Sequence, residues 1–214
     1  MPIPGVELIF MSILSASVSI TRYKVEGRLP PPILETVASG LKKNAISEID
    51  EDISDKAVGW TSFHKPYQPD FYGSSFVYGT YMVFSLRFDK KNIPPKLLKK
   101  HIMIESARWL AKTGREYLSR NEKKALNDQI TNTLSLRIPA TPNVYDVIWN
   151  YEESSLWFLS NLKAANEELE TLFARSFNLS LIRLFPYTTA DLMLGLSDAQ
   201  RDKLANLLPA SFTD

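Results

Sequence analysis

Residues 76–88, FVYGTYMVFSLRF, put Phe76, Tyr78, Met82, Phe84, Leu86 and Phe88 on one face of an extended strand. A run this regular commits the chain to a sheet, because a one-sided strand is stable only when its apolar face is covered by another layer. Gly79 marks a turn or bulge inside the run. At Pro94 the period changes from strand to helix and stays helical to about Leu136, with a break near Tyr117–Asn121. Two antiparallel helices joined by so short a break form an αα-hairpin.

The hairpin has little to bury. In its first helix Leu97, Ile104, Ala107, Ala111 and Leu118 fall on one side, bordered by a band of His101, Arg108, Lys112 and Arg115. The second helix opens with a capping box, Ser119 with Glu122 three residues on. Its first turn then carries Lys123 and Lys124, although a helix N-terminus favours negative charge. Leu126, Ile130 and Leu134, four apart, make only a narrow apolar stripe. These features predict a two-helix finger over 94–138 that projects from the body.

The flanking segments read as strands and helices of one α/β body over 11–93 and 139–214. Ala16, Val18 and Ile20 alternate with Ser and Thr, giving a strand over 15–26 whose phase changes near Tyr23. Ile33, Val37 and Leu41 make a short helix after RLPPP, and 57–62 is a short strand. NVYDVIWNYEESSLWFLS reads as a hairpin turning at Glu152–Ser154. Leu162, Ala165, Leu169, Leu172, Phe173 and Ser176 define a helix over 162–176, and LSLIRLF over 179–185 a strand. A last helix starts at Ser197, with Gln200 at the capping-box position. The predicted class is therefore α/β (α+β): a mixed, largely antiparallel sheet with packed helices and a projecting finger. Residues 1–10 read as a loose extension, Met11 starting a cleaner strand than Met1.

Composition bounds the chemistry. The 214 residues include no cysteine, which removes disulfides and thiolates and fits a reducing compartment. No apolar run is long enough to span a bilayer. The net charge of +1 conceals a segregation. Residues 87–137 hold thirteen Lys and Arg against five Asp and Glu, while the rest of the chain holds twelve against nineteen. Such asymmetry points to an anion-rich partner or to a solvated helical segment.

Catalytic motifs are sparse. His64 and His101 stand in no zinc-ligand spacing, and no phosphate-binding glycine loop occurs. No cofactor is expected. The acidic stretch SEIDEDISD, with Glu48, Asp50, Glu51, Asp52 and Asp55, lacks the EF-hand spacing and reads as a solvated loop. Asp70, after Pro69, together with Asp89 and Lys91 in DKK, fits the loose PD…(D/E)xK pattern of Mg²⁺-dependent nucleases. The same FDKKNIPP also serves as a turn leaving a strand. The cations of the finger, Lys96, Lys99, Lys100, Arg108, Lys112, Arg115, Arg120, Lys123 and Lys124, suit phosphate contacts that carry no base readout. If Glu105, Glu116, Glu122 and Asp128 pair with them locally, they bind nothing, and a third reading is a protein-interaction module that meets its partner without touching DNA.

From SVSITRYKVEG through Gly59–Trp60, YMVFSLRFDKKNIPP, LSRNEKKALNDQITNTL, RIPATPNVYDVIWN, SLWFLSNLKAANEELETLFARSF and LIRLFP, the order and spacing of elements resemble the bacterial recombination-associated protein RdgC family. The resemblance covers most of residues 13–186 and rests on element order rather than on one diagnostic motif. It implies a non-enzymatic homodimer, a ring or clamp on double-stranded DNA with little sequence preference. It also implies restraint of a RecA-type recombinase and a place in the bacterial cytoplasm, at the nucleoid. Carried to this chain, it puts Lys96–Lys112 near DNA and Leu136–Tyr145 near the finger-tip contacts. Family members continue past the position of Pro186 through a further β-rich section, whereas here about thirty residues follow, so the chain resembles a short member.

Overall fold

The alternating run becomes β3 (Val77–Tyr78) and β4 (Tyr81–Lys90), joined by a tight turn in which Gly79 takes a left-handed φ of 62°. The computed structural model describes residues 17–208. Along the chain the other elements are β1 (Thr21–Glu26), α1 (Ile33–Lys43), β2 (Lys56–Thr61), α2 (Pro95–Thr113), α3 (Arg120–Ser135), β5 (Thr141–Asn150), β6 (Ser155–Phe158), α4 (Lys163–Phe177), β7 (Ser180–Leu184), α5 (Pro186–Met193) and α6 (Asp198–Ala205). The strands form one sheet in the order β2-β4-β5-β6-β1-β7, with β3 also on β4. Among the described residues every strand pair is antiparallel, and the one parallel contact is a bridge between Ala45 and Trp60. This is an α+β fold, and among the described residues no helix is long and apolar enough to cross a membrane.

One face of the sheet carries the core. Tyr23 and Val25 of β1, Trp60 of β2, Phe84 and Leu86 of β4, Val147 and Trp149 of β5, and Leu156 and Phe158 of β6 all point to α1 and α4. Those helices answer with Val37 and Leu41, and with Ala165, Leu169, Leu172, Phe173 and Phe177. The aromatic rings meet edge-on, Trp149 at 5.0 Å from Phe173 and Trp60 at 5.1 Å from Phe84. Trp60 Nε1 donates to Ser176 Oγ at 2.7 Å, so the half-buried hydroxyl at the end of the predicted stripe satisfies a buried indole. Leu162, expected to begin that stripe, precedes the helix and is exposed.

The first strand departs from expectation. It starts at Thr21, not near residue 15, and Val18 and Ile20 are 41% and 46% exposed. The cause is the length of its neighbour. Thr21 pairs with Phe158, the last residue of β6, so residues 17–20 have no ladder to join. The phase change near Tyr23 is the boundary between that unpaired lead and a strand that buries Tyr23 and Val25. Ala16 and the loose extension proposed for 1–10 lie outside the described residues.

Tyr23 shows how a polar group enters the core. Its hydroxyl donates to Asn166 Oδ1 at 2.6 Å, accepts from Arg183 Nη2 at 3.2 Å, and has Glu170 Oε1 at 3.0 Å. Burial chiefly, with Glu170 beside it, holds the phenol well above its ordinary pKa and so neutral.

α1 approaches α4 very closely at Gly40. A Cβ there would lie 2.7 Å from both Phe177 Cε1 and Ser176 O. Gly→Ala inside a helix ordinarily stabilises by about 1 kcal/mol, but here a backbone oxygen blocks the added methyl. Gly40→Ala is therefore expected to destabilise the protein by about 1–3 kcal/mol. Chemical denaturation checks it; a gain in stability would mean that α1 shifts freely.

Candidate nucleic-acid interface

The finger is placed by the longest ladder in the sheet. β4 and β5 pair over ten residues, from Tyr81 with Asn150 to Lys90 with Thr141. The chain therefore leaves the sheet at Lys90 and returns beside it at Thr141, and residues 91–140 form an insertion whose two ends touch. Pro95 at the first helical position starts α2, and Gly114 in the left-handed region at φ 66° ends it. Ser119 then starts α3 with the predicted capping box: Oγ accepts from the Glu122 N–H at 3.3 Å, and the Ser119 N–H donates to Glu122 Oε2 at 2.8 Å. The hydrogen bonds from Ser119, with Arg115 nearby, hold the Glu122 carboxyl below its ordinary pKa.

The two helices pack chiefly on each other. Ile130 and Leu134 are buried and Leu126 half-buried, as the narrow stripe predicts; Leu118, expected on the apolar side of the first helix, is buried in the connection between α2 and α3. On α2 the prediction changes. No residue of α2 is buried, and Ile104, Ala107 and Ala111, expected on its packed side, are exposed with Met103. Leu97, also expected there, is half-buried, as are Leu98, Ile102 and Trp109. Periodicity locates an apolar face, but it cannot say whether the same chain supplies a cover for it.

The predicted cations occupy three places. Lys96, Lys99 and Lys100 are exposed on the first two turns of α2, whose opening turn contains no acidic residue. Arg108 and Lys112, with His101, line the groove between α2 and α3. Arg115, Arg120, Lys123 and Lys124 cluster at the tip. Two are neutralised locally: Arg108 pairs with Glu105 at 2.6 Å, and Arg115 with Glu122 at 3.0 Å while lying over the Trp109 ring. Lys96, Lys99, Lys100, Lys112, Arg120, Lys123 and Lys124 are exposed and in no ion pair among the described residues, as is Arg137, which composition counted but site reasoning passed over. The segment Leu136–Tyr145 lies at the base of the finger, where α3 ends and β5 begins. The tip is Gly114–Ser119, at the opposite end, so that segment is not where the resemblance would put the tip contacts.

The base of the finger rests on a buried polar network on the second face of the sheet. Arg87 holds Asp89 through two hydrogen bonds, Nε to Oδ1 at 2.8 Å and Nη2 to Oδ2 at 2.6 Å. Glu48 joins from the acidic loop at 2.9 Å. Burial works against the guanidinium charge, yet Asp89 and then Glu48 hold its pKa above the ordinary value. Lys91, 4% exposed, gives its ammonium to three carbonyls: Ser135 O at 2.6 Å, Asp52 O at 2.7 Å and Asp50 O at 3.0 Å. Asp50 Oδ1 in turn accepts from the Ala140 N–H at 2.8 Å. The acidic stretch, expected as a solvated loop, thus ties both ends of the finger to the body, its carboxylates still exposed.

The same bonds account for the residues of the nuclease pattern. Asp89 is filled by Arg87, and Lys91 by carbonyls. Asp70 lies in another loop, where Oδ1 accepts from the Tyr72 N–H at 3.0 Å. No hydrogen bond or ion pair links the three. Among the described residues no group of three or more acidic or histidine side chains is arranged to hold a metal ion. Compared with models of known protein families and with curated proteins, the chain matches none.

Removing Asp89 leaves a buried guanidinium with Glu48 as its remaining carboxylate, beside Pro66 O at 3.4 Å. Asp89→Ala is expected to cost about 3–5 kcal/mol, as for a broken buried ion pair. A thermal melt beside wild type measures it, and an unchanged midpoint would mean that solvent or Glu48 replaces the lost carboxylate.

Proposed function

We propose that this protein binds duplex DNA without catalysis and with little sequence preference, through the basic finger. One observation carries the reading: the finger exposes eight cations that are in no ion pair among the described residues, and of its acids only Glu116 and Asp128 lack a basic partner there. Cations solvated for their own sake are normally interspersed with acids, whereas a phosphate lattice calls for an excess that can displace condensed counterions. Lys96, Lys99 and Lys100 stand at the positive end of α2, where peptide dipoles add to their field. Contacts of this kind position a duplex and read no bases.

The resemblance to the RdgC family extends the proposal to a homodimer that clamps DNA in the bacterial cytoplasm and restrains a RecA-type recombinase. The open residues Met103, Ala107 and Ala111 support the dimer, since a face of α2 with no cover among the described residues gains by finding one in another chain.

With Mg²⁺ absent, binding to a short duplex should weaken steeply with salt, and each lost phosphate contact should lower the slope of log K against log[salt] by about 0.9. Lys96→Gln/Lys99→Gln/Lys100→Gln should therefore flatten it by up to about 2.7. Binding that is absent at low salt, or indifferent to salt, would overturn the proposal. Sedimentation of wild type beside Ala107→Glu/Ala111→Glu tests the dimer: the first should run as a dimer and the second as a monomer.

A further inference from the structure

Between α2 and α3 runs a groove of about 660 Å³ whose character differs from the rest of the finger. Its floor is made by Ile104 and Trp109 of α2 and the half-buried Leu126 of α3, over the buried Ile130 and Leu134 and beside Gln129 and Thr133; its rim is cationic, made by His101, Arg108 and Lys112 of α2 and by Arg137 after α3. Glu105 is the one acid lining it, and Arg108 already holds that carboxylate. Because the helices run antiparallel, Lys112 stands toward the tip and Arg137 at the base. From His101 to Lys112 the rim extends about 16 Å, the length of eleven residues of helix. Phosphates gain nothing from an apolar floor. Lys96, Lys99, Lys100, Lys123 and Lys124 do not line the groove at all.

We propose that this groove docks an acidic amphipathic helix of about three turns from a partner protein. Aliphatic or aromatic side chains at i, i+3, i+4 and i+7 would enter the floor. Carboxylates flanking them would meet Lys112 and Arg137, the two rim cations that are exposed and free of acidic partners among the described residues. Charge complementarity selects the occupant: a neutral helix would leave the rim uncompensated, and a basic one would be repelled. The inference does not depend on the DNA reading, because the cations it uses are separable from those at the start of α2.

The test uses the full chain and three fluorescein-labelled peptides in anisotropy titrations. One carries leucines at i, i+3, i+4 and i+7 among glutamates; the second has the same composition with the leucines scattered around the helix; the third replaces leucine by serine. The first is expected to bind at least tenfold more tightly than the other two. Lys112→Glu/Arg137→Glu should weaken it at least tenfold, while Lys96→Gln/Lys99→Gln/Lys100→Gln changes it less than twofold. Equal binding of all three peptides would mean charge attraction alone and overturns the proposal, as does full binding by the charge-reversed groove. Loss of duplex binding in Lys112→Glu/Arg137→Glu, with no peptide bound by wild type, assigns the groove to nucleic acid instead.

Discussion

The β4–β5 ladder is the constraint on which the other features depend. Its ten residue pairs run through the middle of the sheet, and β4 is buried from Met82 to Arg87 and again at Asp89. On one face its side chains meet α1 and α4 through Phe84 and Leu86; on the other, Ser85, Arg87 and Asp89 form a polar layer roofed by loops. A strand so enclosed leaves no freedom in register, since a shift of one residue would drive Arg87 and Asp89 into the aromatic core. Fixed register brings Lys90 opposite Thr141, and that pairing alone decides where the finger emerges.

The polar layer has a different task from the core. Hydrophobic burial holds α1 and α4 to the sheet without direction, but a projecting hairpin needs a directed joint at its base. Lys91 supplies it. One ammonium engages carbonyls from the acidic loop and from the last turn of α3, so the outgoing and returning chain are held at one point. Buried charges are costly unless fully paired, and here the pairing is complete: Arg87 by two carboxylates, Lys91 by three carbonyls. Asp89 and Lys91, two of the three residues of the nuclease pattern, fasten the finger, while Asp70 stays in a separate loop.

Beyond that joint the finger has few tertiary contacts. Its helices are stabilised by their caps, by Pro95 and Gly114 at the ends of α2, by two local ion pairs and by a short stripe against each other. Such an element is economical to mount and leaves most of its surface open. Lysines at the start of α2 and at the tip are exposed, while the α2–α3 groove sets cations beside Ile104 and the half-buried Leu126.

Local pattern alone determined much of this protein. Alternation over 76–88, the change of period at Pro94, the Ser119–Glu122 box and the i, +3, +4 stripe of α4 each concern residues close in sequence, and each depends on rules of one strand or one helix. The charge excess of the finger was likewise legible, because solvation demands no partner. What only the tertiary structure decided is who meets whom. Strand β1 begins where β6 ends, a limit set by a segment more than 130 residues away. Met103, Ala107 and Ala111 of α2 stay open because no other part of the described chain covers them. Asp89 and Lys91 became a joint because Arg87, Ser135 and the acidic loop converge on them, and the energy of a buried charge is set by its neighbours in space, which sequence spacing does not contain.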